Sequence, residues 1–233
     1  MRAGIRHFSS RTGKVSGVGL FLGLIALAVA GVISPSVYYA SKSIHDLLGE
    51  NSKLKENISR LTTESQIGYA KVLEQFERDG KKWTRLLFAT TNRDDAQETL
   101  LKREYEIEGD VVHFDALIVK FAGPLVMDGK ERAIYLWRRV YGEHMPPEQG
   151  YSVDDSGLEP RRYESICRDL SLDEKQMFWE EIWDLANDLD RLSDTGIKAV
   201  YGNVVYQNLR PGFIYVFKIN NSGELYPETI PDL

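Results

Sequence analysis

The alternation of apolar and polar positions divides the chain into three parts. From Val15 to Ser41 no side chain is charged, and Val18–Ala30 is almost wholly apolar. A helix of about 20 apolar residues spans a bilayer, so residues 15–41 predict a transmembrane helix, ended or kinked at Pro35. Arg2, Arg6, Arg11 and Lys14 precede it with no acid among them. Lys and Arg are retained on the cytoplasmic side, which predicts residues 1–14 as a short basic cytoplasmic tail and the remainder as periplasmic or otherwise extracytoplasmic. Ala28-Val29-Ala30 offers a signal-peptidase site, but the apolar run continues to Tyr38-Tyr39, an interfacial aromatic pair. The reading is therefore an uncleaved signal-anchor in the cytoplasmic (inner) membrane, single-pass. The reversed topology, with a cytoplasmic domain, stays open.

After Ser43 the period changes. Ile44, Leu47, Asn51, Leu54, Ile58 and Leu61 recur at steps of three and four, the seam of a coiled coil. Glu50, Lys53, Lys55, Glu56 and Arg60 lie off the seam. An Asn at such a seam position favours a parallel pair. Tyr69, Val72, Leu73 and Phe76 resume the helical phase, and Asp79-Gly80 stops it. Residues 42–78 thus predict a helical stalk. It pairs with a second copy as a parallel coiled coil, or it lies as an amphipathic helix on its own domain.

Residues 81–226 carry a mixed pattern. Asn92 or Asp94 can cap a short helix bearing Ala96, Leu100 and Leu101. Tyr105 and Ile107 alternate with glutamates as in a half-exposed strand, and Val111–Phe121 reads as a buried strand paired with it across Gly109-Asp110. Ala133, Leu136, Trp137, Val140 and Tyr141 fall on one helical face within 130–141, a segment made basic by Lys130, Arg132, Arg138 and Arg139. Residues 143–160, with Pro146-Pro147, Gly150 and Pro160, show no period; so long a loop is a place for a partner or ligand contact. Ser171-Leu172-Asp173-Glu174 is a capping box opening a helix to about Leu192, whose apolar stripe is widened by Trp179 and Trp183. Short strands follow at 199–201 and 204–206, then a stronger strand, Phe213–Ile219, and a turn at 220–223. Residues 227–233 predict a flexible tail. The expected fold class is α+β: a transmembrane helix, a coiled-coil-like stalk, and a small mainly antiparallel sheet with amphipathic helices packed on it.

Charge and chemistry narrow the function classes. The net charge is −6 and residues 1–41 are purely basic, so the remainder is strongly acidic. An acidic domain repels phosphate backbones, so no nucleic acid is expected as a partner. The four histidines share no metal-ligand spacing, and a single cysteine, Cys167, excludes an intramolecular disulfide. No phosphate-binding loop or nucleophile elbow is present. No cofactor, no metal and no catalytic residue is therefore expected, and the chain is not read as an enzyme.

The segment Phe213–Leu225 resembles the last hairpin of extracytoplasmic PAS-like (Cache) sensor domains. That resemblance implies ligand sensing through a partner. The leading expectation is a single-pass membrane-anchored interaction or scaffold protein, a subunit of a membrane or envelope assembly. Its partners would be the lipid bilayer through residues 15–41 and a second copy or other membrane proteins. The oligomer seam would be the six heptad residues, and the partner surface Arg132, Arg138, Arg139, Trp179 and Trp183. A membrane-tethered hydrolase is the remaining alternative.

Overall fold

The computed structural model describes residues 21–24, 42, 46–163, 172–184 and 196–232. The chain divides into two units, Met1–Leu54 and Lys55–Leu233. In the first, residues 21–24 and 46–54 are helical. In the second, the helix α1 (residues 46–62) ends and, among the described residues, nine strands follow. These are β1 (Glu64–Arg78), β2 (Lys81–Thr91), β3 (Thr99–Glu108), β4 (Val111–Phe121), β5 (Ile134–Gly142), β6 (Tyr151–Ser152), β7 (Ile197–Asn208), β8 (Phe213–Asn220) and β9 (Leu225–Pro231). Two further helices, α2 (Gly123–Met127) and α3 (Leu172–Asp184), interrupt them.

The strands form two antiparallel sheets, ordered β3-β2-β1-β8-β9 and β6-β5-β4-β7. The fold is therefore mainly β, not α+β. The two sheets meet through aromatic side chains. Phe88 from the first meets Phe114 and Trp137 from the second at ring separations of 5.5 and 5.3 Å, and Phe217 closes the cluster at 4.7 Å from Phe114 and 5.3 Å from Trp137. Aromatic pairs at such distances add about 0.5–1.5 kcal/mol each beyond their buried area.

Only residues 21–24 of the 15–41 stretch are described, and the rest of that expectation lies outside the described residues. Among the described residues no helix is long and apolar enough to cross a membrane. The expected single-pass signal-anchor, and the inner-membrane localisation built on it, does not stand on this structure.

The stalk is corrected too. The helix ends at residue 62, and 64–78 is a strand, so among the described residues there is no long coiled-coil helix. Two β-bulges interrupt β1. Ile67 is an extra residue against β8 and Leu73 an extra residue against β2. The bulge at Leu73 shifts the two-residue period by one within the stretch Tyr69–Phe76, which helps its apolar positions mimic a helical repeat. Asp79-Gly80, at φ 54° and 71°, is the two-residue turn of a β1–β2 hairpin. Positive φ at both positions is what such hairpins need.

The 130–141 helix is a strand for the same reason. Across β4, Asp115 faces Arg139 while Ala116 faces Trp137, which leaves Arg138 as the bulged residue of β5. The expected hairpin over Gly109-Asp110 is a crossing between sheets, since β3 and β4 belong to different ones. The expected helix near Ala96 is a turn leading into β3, the strands at 199–201 and 204–206 are one strand, and β9 occupies most of the expected tail. The turn at 220–223 is present, with Asn220 Oδ1 accepting from the Glu224 amide at 2.9 Å.

Residues 143–160 are a strap rather than an irregular loop. β6 pairs β5 only at Arg139 and Val140, and the backbone of the preceding residues is satisfied by the strap. The Val153 and Asp154 amides donate to Arg138 O and Trp137 O at 3.1 and 2.8 Å. The Trp137 amide donates to Asp154 Oδ2 at 2.7 Å, and Tyr163 Oη lies 2.8 Å from the Tyr135 amide and 2.9 Å from its carbonyl. Arg162 fastens the strap, with Nη1 3.0 Å from Asp154 Oδ1 and Nη2 3.0 Å from Tyr135 O. The two side chains are only 5% and 10% exposed. Burial opposes the Arg162 charge, but Asp154 outweighs it and holds the guanidinium above its ordinary value.

Candidate protein-binding face

Along β4 the side chains alternate. Phe114, Ala116 and Ile118 point into the sandwich, so His113, Asp115, Leu117 and Val119 belong to the outer face of the four-stranded sheet. That face has a covered half and an open half. Leu117, Val119, Ile134 and Leu136 are all buried although they face away from the other sheet. Trp179 and Ile182 of α3 belong to the general buried core, which also holds the residues between the sheets. Trp179 stacks on Tyr163 at 5.5 Å, and Tyr163 meets Tyr135 edge-on at 5.9 Å.

The open half is built around Asp115. Because Arg138 is a bulged residue, it and Arg139 project to the same side and both reach this carboxylate. Arg138 Nη2 and Nε lie 2.7 and 3.1 Å from Oδ1, and Arg139 Nε lies 3.2 Å from Oδ2. The Asp115 side chain is 4% exposed, whereas the arginines are about 30% exposed. One buried carboxylate thus fixes two guanidinium groups and leaves a positive charge over, on a chain that is net negative. Arg139 is held further by Nη1 donating to Pro147 O at 2.8 Å. Arg138 lies over Gly202 of β7, where a Cβ would fall 2.5 Å from Nη2, so a side chain there would shift this guanidinium.

A row of rings borders this triad. His113 stacks on Tyr141 at 4.8 Å and 8°, and Tyr206 approaches its other side at 6.2 Å. Burial, then Asp115, pushes the Tyr141 phenol above its ordinary value, which keeps it a hydrogen-bond donor. Tyr206 and Val204 stand out at 69% and 42% exposure. Both Asp115 oxygens are occupied by arginines, so this carboxylate positions its neighbours. The arrangement offers fixed cationic forks beside aromatic and aliphatic surface.

The sequence-derived candidates are thus separated. Arg138 and Arg139 are brought together; Trp179 is buried against Tyr163 and Trp183 is half-buried. Arg132 sits elsewhere, its Nη2 2.7 Å from Asp94 Oδ2, on a cavity of about 490 Å³ that is also lined by Arg60, Lys130, Glu131 and Asn221. Asp94 is held below, and Arg132 above, the ordinary value by that pair. Of the seam residues, Leu47, Asn51, Leu54 and Ile58 are exposed, Leu61 is half-buried and Ile44 lies outside the described residues.

Sequence reasoning missed Asp115, His113, Tyr206 and Arg93. Arg93 is buried and staples the 220–223 turn, donating to Asn221 Oδ1 at 2.8 Å and to Ala133 O. Asp115 carried a readable signal, being the one acid in the apolar run Val111–Val119. Such a residue is buried only with a partner. Among the described residues no group of three His, Cys, Asp or Glu side chains is placed to hold a metal ion. Comparison with protein-family models, with curated proteins and with solved structures finds no match to this chain.

Proposed function

We propose that the β-sandwich is a protein-interaction domain that presents the open half of its four-stranded sheet to a protein partner. The observation that carries this reading is the pair of arginines fixed by one buried carboxylate beside exposed Val204 and Tyr206. Tyrosine and arginine are enriched among the residues that dominate protein interfaces. Guanidinium groups already held in place lose less freedom on binding, which favours affinity.

The other outer face differs in kind. There charges neutralise one another in cross-strand pairs: Lys71 with Asp232 and Arg78 with Glu106, each at 3.0 Å, Arg85 with Glu74, and Lys218 with Glu228. Such a surface is satisfied by its own neighbours and by water. No observation favours the ligand-sensing or hydrolase reading over this one.

The test is photo-crosslinking in the cells that make the protein. A benzophenone amino acid replaces Tyr206 in one variant and Glu104, exposed on the other sheet, in a second. The reading expects a discrete protein adduct from position 206 and none from 104. Equal labelling at both positions, or none at either, contradicts it.

A further inference from the structure

A β-sheet edge left bare is a template for pairing with another chain, and proteins blunt such edges with charges, prolines or covers. This sandwich has four edges and blunts three. β3 carries Lys102, Arg103, Glu104, Glu106 and Glu108 along its length. β9 contains Pro227 and Pro231, which donate no backbone hydrogen bond. The β5 edge is closed by β6 and by the strap that Asp154 and Arg162 fasten.

β7 carries a single charge, Lys198 at its start, and no proline, and among the described residues nothing pairs with its free edge. It is the terminal strand of its sheet and runs for 12 residues. From Ala199 to Asn208 it holds no charge and no proline, and it is rich in valine and tyrosine. Among the described residues no backbone group outside its own ladder with β4 meets residues 198–207. Its outer-face side chains, Val204 and Tyr206, are also the most exposed members of the binding face.

We infer that β7 is a pairing edge and that its occupant is β7 of a second copy of this chain. The inference rests on the interaction-domain reading above and names its partner. The argument for a second copy is that the other three edges are unsuited to pairing. β7 can then meet only another β7, so the contact is a two-fold, antiparallel one. It consumes the one edge left bare among the described residues and closes at two chains instead of growing into a fibre. No like charges are opposed, because none lie between Ala199 and Asn208. A two-fold axis beside Val205 sets Val204 against Tyr206 of the second copy on the outer face. Aromatic with β-branched is among the favourable cross-strand combinations. The two open half-faces then join across a continuous eight-stranded sheet.

The test uses the full chain with Cys167→Ser as background and a bismaleimide of about 10 Å reach, enough to bridge residues near the axis. Tyr206→Cys is expected to give a covalent dimer on a denaturing gel, and Glu104→Cys none. Adding Val204→Lys, which sets two like charges at diagonal positions about 7–8 Å apart across the axis, is expected to lower the Tyr206→Cys dimer at least tenfold with an unchanged thermal transition. Should Val204→Lys alter that transition, Gln207→Lys on the same edge takes its place with the same expectation. Equal crosslinking from positions 206 and 104, or a dimer that survives both lysine variants, overturns the inference. A position-206 photo-adduct whose mass is that of another protein also overturns it, while leaving the interaction-domain reading intact. Absence of any photo-adduct removes both.

Discussion

Arg138 has no residue opposite it on β4, yet its Nε and Nη2 lie 3.1 and 2.7 Å from Asp115 Oδ1. Ordinary strand alternation would send Arg138 and Arg139 to opposite faces; the bulge sends both to one. The proposed binding face therefore depends on a backbone irregularity fixed by an ion triad. Asp115→Ala leaves two guanidinium groups that are partly exposed and can rehydrate, so the expected loss is about 1–3 kcal/mol in urea unfolding. Arg132→Ala, which breaks an exposed pair with Asp94, is expected to cost less than about 1 kcal/mol. Equal losses would contradict the assignment of Asp115 as the organising residue.

The strap gives a sharper contrast because both its charges are buried. Asp154→Ala strands Arg162 without a partner and is expected to cost about 3–5 kcal/mol. The double variant Asp154→Leu with Arg162→Met removes both charges and is expected to be more stable than Asp154→Ala alone. Chemical denaturation of the three proteins reads this directly. A double variant weaker than the single one would show that the pair does more than cover the β5 edge.

Glu131 lines the cavity beside Arg132, and burial raises its carboxyl above the ordinary value. For an acid with a raised folded value, the folded state resists ionisation. Folding is then opposed above the ordinary glutamate value, and the opposition fades as pH falls through it. Glu131→Gln is expected to raise the melting temperature near neutral pH and to leave it unchanged at about pH 3.5, below the ordinary glutamate value. A stabilisation that persists at acid pH would point to a cause other than ionisation.

Trp179 is 1% exposed and stacked on Tyr163, whereas Leu172 at the start of α3 is 85% exposed. Trp179→Ala is expected to cost about 3–5 kcal/mol through the cavity it leaves. Leu172→Ala is expected to leave stability within about 0.5 kcal/mol. A Trp179→Ala protein that keeps its stability but loses its partner would return this residue to the binding surface.

These contrasts show what the sequence could and could not reveal. The 46–62 helix, the buried strand over 111–121, the helix after Ser171 as far as Asp184 (its expected end near Leu192 lies outside the described residues) and the turn at 220–223 were legible because each follows one uninterrupted period or one strong turn signal. β1 and β5 were not, because Leu73 and Arg138 are bulged residues that shift the period in mid-strand. Ala133, Leu136, Trp137, Val140 and Tyr141 then fall at helical spacing, although the first three precede the shift and the last two follow it. The Asp79-Gly80 hairpin turn was legible in its residues but was overridden by the heptad before it. Arg138 and Arg139 were visible as cations. Their common partner was visible only as an acid where none should be buried alone. The pairing of β4 with β7, which brings Tyr206 beside His113, is a contact between distant segments that no local pattern encodes.

The central claim is that the chain associates through the β7 side of the four-stranded sheet. Hydrogen–deuterium exchange of the full chain, measured over a hundredfold range of its own concentration, tests it most directly. The account predicts that exchange slows with concentration across residues 198–208 and stays constant across 71–85 on the opposite sheet. Unchanged exchange at 198–208, or slowing centred on 71–85, would contradict it.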